Sequence, residues 1–105
     1  MVKKVEFTDD TREEQTTLYY SAKNVGKKAF AGYLSSVNIS LSTYSRFISR
    51  EALLNKVDIS RMAKAGHLSI EEDDIILMGE NEWNTKTFFI ESKEHFILIA
   101  WETSA

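Results

Sequence analysis

Cysteine is absent from this chain, which excludes disulfides, thiolate metal sites and cysteine nucleophiles. Proline is absent as well, and no proline-rich or low-complexity linker divides the sequence. Residues 1–105 therefore read as one domain, a size at which folding buries roughly 65% of the unfolded surface. Nowhere do 18 apolar residues run together, and the opening MVKKVEFTDD has two lysines with no apolar stretch behind them. Neither a membrane span nor a secretory signal is expected, and the expected location is the cytoplasm. Asn38-Ile39-Ser40 matches the glycosylation pattern, but without secretion the match is a coincidence.

Catalytic motifs are also missing. The two histidines, His67 and His95, belong to no H-E-x-x-H or H-x-x-x-H spacing, and the chain has no G-x-S-x-G elbow, phosphate-binding glycine loop or dinucleotide fingerprint. His95 reads as a hairpin-corner residue and His67 as a helix-end residue whose positive form suits the helix dipole. No enzyme activity and no cofactor are expected.

What is present is an ordinary globular composition, 43% hydrophobic and 28% charged, well outside the range of disordered chains. The net charge of −3 conceals segregation. Residues 23–64 hold eight cations (Lys23, Lys27, Lys28, Arg46, Arg50, Lys56, Arg61, Lys64) against Glu51 and Asp58, a net +6, whereas the N-terminal flank carries −2 and the C-terminal flank −7.

Hydrophobic spacing predicts an α+β fold with a mostly antiparallel sheet, one or two short helices mid-chain and a C-terminal meander of three strands. Val5 and Phe7 alternate, as do Leu18, Tyr20 and Ala22, so two strands are expected across the polar stretch Asp9 to Gln15. The stretch 28–42 carries both signals, and the alternation of Val37, Ile39 and Leu41 favours a strand bulged at Ser35-Ser36. Tyr44, Phe47, Ile48 and Leu54 predict a helix from Thr43 to about Lys56, capped by Ser42 or Thr43. A second is expected from Asp58 to Ala65, stopped by Gly66. The runs around Phe88-Phe89-Ile90 and Phe96 to Trp101 predict strands covered on both faces or inserted between neighbours.

Two surfaces stand out. Glu71, Glu72, Asp73 and Asp74 precede the strand Ile75 to Met78, and Glu80 and Glu82 follow it, with Trp83 beside them. Four adjacent acids in an extended chain lack the spacing of a calcium loop, so no metal site is expected there. They serve either as a solvated strand border or as a patch that attracts a basic protein, with Trp83 as an interface anchor or as a lid over the core. The alternative surface is basic. REALLNKVDISRMAKAGHL resembles a helix-turn-helix element in form, with Ala52, Val57, Met62 and Ala65 facing inward and Arg46, Arg50, Lys56, Arg61 and Lys64 available to nucleic acid; Lys56 replaces the usual turn glycine. The aromatics Phe88, Phe89, Phe96 and Trp101 lie in a segment too acidic for a base-stacking platform and are assigned to the core.

Small size, acidity and missing catalytic motifs are similar to what is seen in immunity proteins and in phage-borne inhibitors of host nucleases, anti-CRISPR proteins among them. The sequence-based expectation is a non-catalytic cytosolic protein, of a phage or bacterial accessory type, that inhibits or modulates a larger protein with a basic surface, such as a nucleic-acid-handling enzyme. The alternative is a small DNA-binding regulator.

Overall fold

The computed structural model describes residues 1–104. Its organising element is a six-stranded, fully antiparallel sheet formed by β1 (Lys3–Asp9), β2 (Glu14–Ala22), β3 (Arg46–Phe47), β4 (Ile75–Asn81), β5 (Thr85–Glu91) and β6 (His95–Thr103). Across the sheet the order is β1-β2-β6-β5-β4-β3. The last strand is thus threaded between the N-terminal hairpin and β5. Three helices, α1 (Lys27–Ser36), α2 (Arg50–Lys56) and α3 (Ser60–Gly66), complete an α+β fold. None of the helices is long and apolar enough to cross a membrane.

The apolar runs explain this layering. Consecutive strand residues point to opposite faces, so a run without polar interruption demands cover on both. Ile97 and Ile99 on β6, with Phe88 and Ile90 on β5, enter a larger core that α2, α3 and the segment after them close through Leu53, Val57, Ile59, Met62, Leu68 and Ile70. Phe96, Leu98 and Phe89 enter a smaller core on the opposite face, closed by Phe30 and Leu34 of α1 and by Tyr44. There the rings of Phe30, Phe89 and Phe96 stack with centroids 5.7 to 6.3 Å apart.

Several local expectations are corrected. Residues 27–36 form helix α1, not a strand: Phe30 and Leu34, one turn apart, are both fully buried by it, and the alternation that suggested a strand begins only beyond its end, at Val37. The predicted helix over 43–56 is divided. Arg46 and Phe47 pair with β4, and α2 starts only after Ser49, whose Oγ accepts the Ala52 N–H at 3.1 Å. In the helix pair the inward residues are Leu53, Val57, Ile59, Met62 and Gly66, with Ala65 exposed and Ala52 half-buried. Gly66 ends α3 from inside, and His67 takes the left-handed conformation (φ 52°) after it. The glycine is required by crowding, since a Cβ there would lie 2.9 Å from Leu68 Cγ and 3.2 Å from the Tyr20 ring.

Because Phe30 is the plug of the smaller core, its truncation leaves a cavity between α1 and the face of the sheet formed by β5 and β6. Phe30→Ala is expected to lower unfolding free energy by about 3–5 kcal/mol, read from the urea midpoint at unchanged slope.

Candidate functional site at the sheet border

The predicted acidic residues all lie along one border of the sheet, at both ends of β4. Glu71 to Asp74 do not run extended: they curl into a turn in which the Asp74 carboxylate accepts the Glu71 N–H at 2.7 Å, while the Asp74 N–H donates to the Glu71 carbonyl at 3.2 Å. Glu71 Oε1 also accepts the Ser69 hydroxyl at 2.7 Å. Glu80, Glu82 and Trp83 occupy the far end, roughly 20 Å away at a strand's rise of about 3.3 Å per residue. The acids are therefore two clusters joined by β4 rather than one compact patch.

Between the clusters stands a residue that its spacing in the sequence placed on the apolar face of a predicted helix. Phe47 on β3, paired with Leu77, is 73% exposed, and Ile75 on the same face of β4 is 45% exposed. At the far turn Trp83 is 70% exposed, which removes its reading as a lid over the core. Residues 46–48 and 71–84, which build this border, contain six carboxylates and one cation, Arg46. The position of Ser49 was the signal for Phe47: a helix capped there leaves the residues before it outside the helix.

The geometry of the far turn rests on an irregularity. The β4–β5 register shifts between Met78 and Asn81, and the Glu80 N–H bonds to Thr87 Oγ1 at 2.8 Å instead of a ladder carbonyl. Gly79 permits this, because a Cβ would lie 2.6 Å from that hydroxyl and 2.7 Å from the Tyr44 ring. Burial pushes the Tyr44 phenol above its ordinary range; a hydrogen bond with Thr87 opposes this and the Glu80 charge adds to it. The turn is closed by the Glu82 N–H to the Thr85 carbonyl at 2.8 Å, and Lys86 Nζ caps the Glu82 carbonyl at 3.0 Å. The end of β6 brings further acids alongside. Glu102 is the register partner of Thr85, and backbone bonds of 3.0 and 3.1 Å tie Thr103 to Asn84 and Ser104 to Glu13. Glu13 and Glu102, both exposed, were not singled out from sequence, because only the insertion of β6 places them near Glu82.

The candidate nucleic-acid residues of the basic segment are distributed over β3, α2 and α3. Lys27 pairs with Glu91 at 2.7 Å, and Arg50 Nε donates to the Ile70 carbonyl at 2.6 Å. A groove of about 1040 Å³ separates the β1–β2 hairpin from α2 and α3, and its charged lining is balanced: Arg12, Arg50, Lys56 and Arg61 against Asp9, Glu14, Asp58 and Glu71. Cations already cover both aromatic rings of its floor, Arg61 over Phe7 at 5.3 Å and Lys86 over Trp101 at 4.6 Å. Of the remaining candidate nucleic-acid contacts, Arg46 belongs to β3 and Lys64 is exposed on α3 outside the groove. Among the described residues no group of three His, Asp or Glu side chains has metal-binding geometry.

No protein-family model, curated protein or solved structure matches the chain.

Two measurements follow from this geometry. The Asp58 carboxyl is held below its ordinary value, first by the Ser60 hydroxyl (2.7 Å), then by the Ser60 N–H (3.0 Å), with the Arg61 and Arg12 charges assisting. A depressed carboxyl stabilises the fold above its unfolded pKa, about 3.9, and loses that contribution as pH falls through the folded value. Ser60→Ala should raise the Asp58 pKa in an NMR titration and flatten the acid limb of stability. Trp83→Ala and Phe47→Ala, which remove little buried surface, should each change unfolding free energy by less than about 1 kcal/mol in urea titrations.

Proposed function

We propose that this chain is a small, non-catalytic binding protein that sets the acidic β3–β4 border of its sheet against a basic surface of a larger protein and so inhibits or modulates it. The observation that carries this reading is the exposure of Phe47 and Trp83 among six carboxylates. Large exposed aromatics add nothing to the core, and at protein interfaces such residues supply most of the binding energy while surrounding charges set encounter rate and partner choice. The two acidic clusters, roughly 20 Å apart, fit within one standard footprint of about 800 Å² per partner.

A nucleic-acid-handling enzyme fits such a surface. Its groove presents Arg and Lys side chains meant for phosphates, and carboxylates held on a rigid sheet can occupy them in their place. Inhibitors of phage or bacterial origin and immunity proteins are the corresponding biological types. The cytoplasm is the matching compartment.

Affinity capture from a bacterial extract, with and without nuclease, tests this reading. Nuclease-resistant retention of a basic protein is expected. Replacing Glu71, Glu72, Asp73 and Asp74 by Ser, or Phe47 and Trp83 by Ala, should weaken the purified complex at least about tenfold, while added salt slows association. Capture that disappears on nuclease treatment, or affinity unchanged in both variants, rejects it.

A further inference from the structure

The sheet has two open borders of different character. β3 is only two residues long, so it shields a short part of β4. β1 at the opposite border runs seven residues in unbroken register with β2, and among the described residues no strand pairs with its outer side. Alternate residues of such a strand direct their N–H and C=O groups away from the sheet, ready for another strand.

Its side chains carry a pattern. Lys3, Val5, Phe7 and Asp9 share the face of the larger core, where Val5 and Phe7 pack against it. Lys4, Glu6 and Thr8 share the other face, where Lys4 Nζ lies 3.1 Å from Glu6 Oε1 with both side chains about half exposed (45% and 51%). Charges in mid-strand ordinarily keep foreign strands off a sheet border. A strand with the reverse order of charges is not repelled, and an antiparallel copy of β1 presents that reverse order.

We propose that β1 is a self-association border, at which a second copy of this chain adds its own β1 antiparallel about a two-fold axis through Val5, setting Lys4 of each copy opposite Glu6 of the other. Electrostatics selects this register. A two-fold axis normal to the sheet keeps each residue on its own face, so it passes through a residue position, and its neighbours at Lys4 and Glu6 would set like charges directly opposite, lysine on lysine or glutamate on glutamate. The Val5 axis instead closes a quartet in which every lysine lies between two carboxylates, one from each copy. On the other face Val5 meets its equivalent, and each Phe7 meets the aliphatic stem of the partner's Lys3, so the apolar layer continues across the axis. The acidic border, at β3 and β4, lies at the far side of the sheet and stays free in both copies.

Light scattering and sedimentation equilibrium from micromolar to about millimolar concentration provide the test. The mass should rise with concentration from 12.0 kDa towards twice that value. Lys4→Glu alone and Glu6→Lys alone should each weaken self-association at least about tenfold, since two facing pairs become repulsive. Mixing these two single variants in equal amounts should restore dimers, because the mixed pair is again complementary. The double variant K4E/E6K, which keeps both pairs reversed, should associate as the unaltered chain does, and this shows that lost association in the singles is not lost folding. A mass fixed at 12.0 kDa over the whole range overturns the proposal. So does a dimer that the single variants leave unchanged, or a mixture that fails to recover.

Discussion

The pairing of β6 with β2 on one side and β5 on the other governs the rest of the molecule. A nine-residue strand apolar on both faces cannot end a sheet without exposing one row of side chains and one row of backbone groups. Placed in the middle, it satisfies both rows and fixes two cores back to back. Each core then requires its own roof, and the long connection between β2 and β4 supplies both: α1 on one face, α2 and α3 on the other. The order of the elements in the chain follows from that need.

The same placement decides where function can reside. With the centre of the sheet buried, side chains able to meet a partner are left to the turns and the two borders. At one border a two-residue strand leaves Phe47 uncovered between acidic turns. The irregularity at Gly79 turns Glu80 out of the regular ladder, and the β1–β2 turn and the end of β6, tied together around Thr103, add Glu13 and Glu102 nearby. Rigidity matters here: carboxylates in turns anchored to a sheet present a defined spacing to cations, whereas the same charges on a flexible tail would lose ordering entropy on binding. The basic segment, by contrast, is spread over several elements, with Lys27 in an ion pair, Arg50 on a carbonyl, and Lys23 and Arg61 over aromatic rings. Linear clustering of like charge survives folding where the residues stay on one border, as with Glu71 to Glu82, and is dissolved where helices pack onto a sheet whose other strands bring acids to the same groove.

Legibility from sequence followed the strength of the local signal. The strands at 85–103 and the N-terminal hairpin were readable because their apolar residues have few alternatives for burial. Helix α1 was not, because it buries only Phe30 and Leu34, and two buried residues one turn apart give a weaker pattern than the alternation that follows them at Val37, Ile39 and Leu41. Phe47 was misassigned for a related reason. Its spacing with Tyr44, Ile48 and Leu54 fits a helix, but the cap at Ser49 ends that option, and a cap is a single hydrogen bond, a weaker sequence signal than a four-residue pattern. The border acids were legible as charges but not as a surface, since neighbourhood between Glu82, Glu102 and Glu13 depends on strand order, which no local signal encodes.

Threading the last strand into the centre also has a temporal consequence. Glu14 has Asp9 on one side and Thr103 on the other, and Ala22 pairs with His95, so the ladder that closes the sheet joins residues 14–22 to residues 95–103. Contacts that distant make for slow folding, and until they form, the N-terminal hairpin keeps the inner side of β2 open to any other strand it meets. During synthesis that exposed row persists until β6 is available, so the molecule is most open to misassembly in the interval between formation of the β1–β2 hairpin and docking of β6.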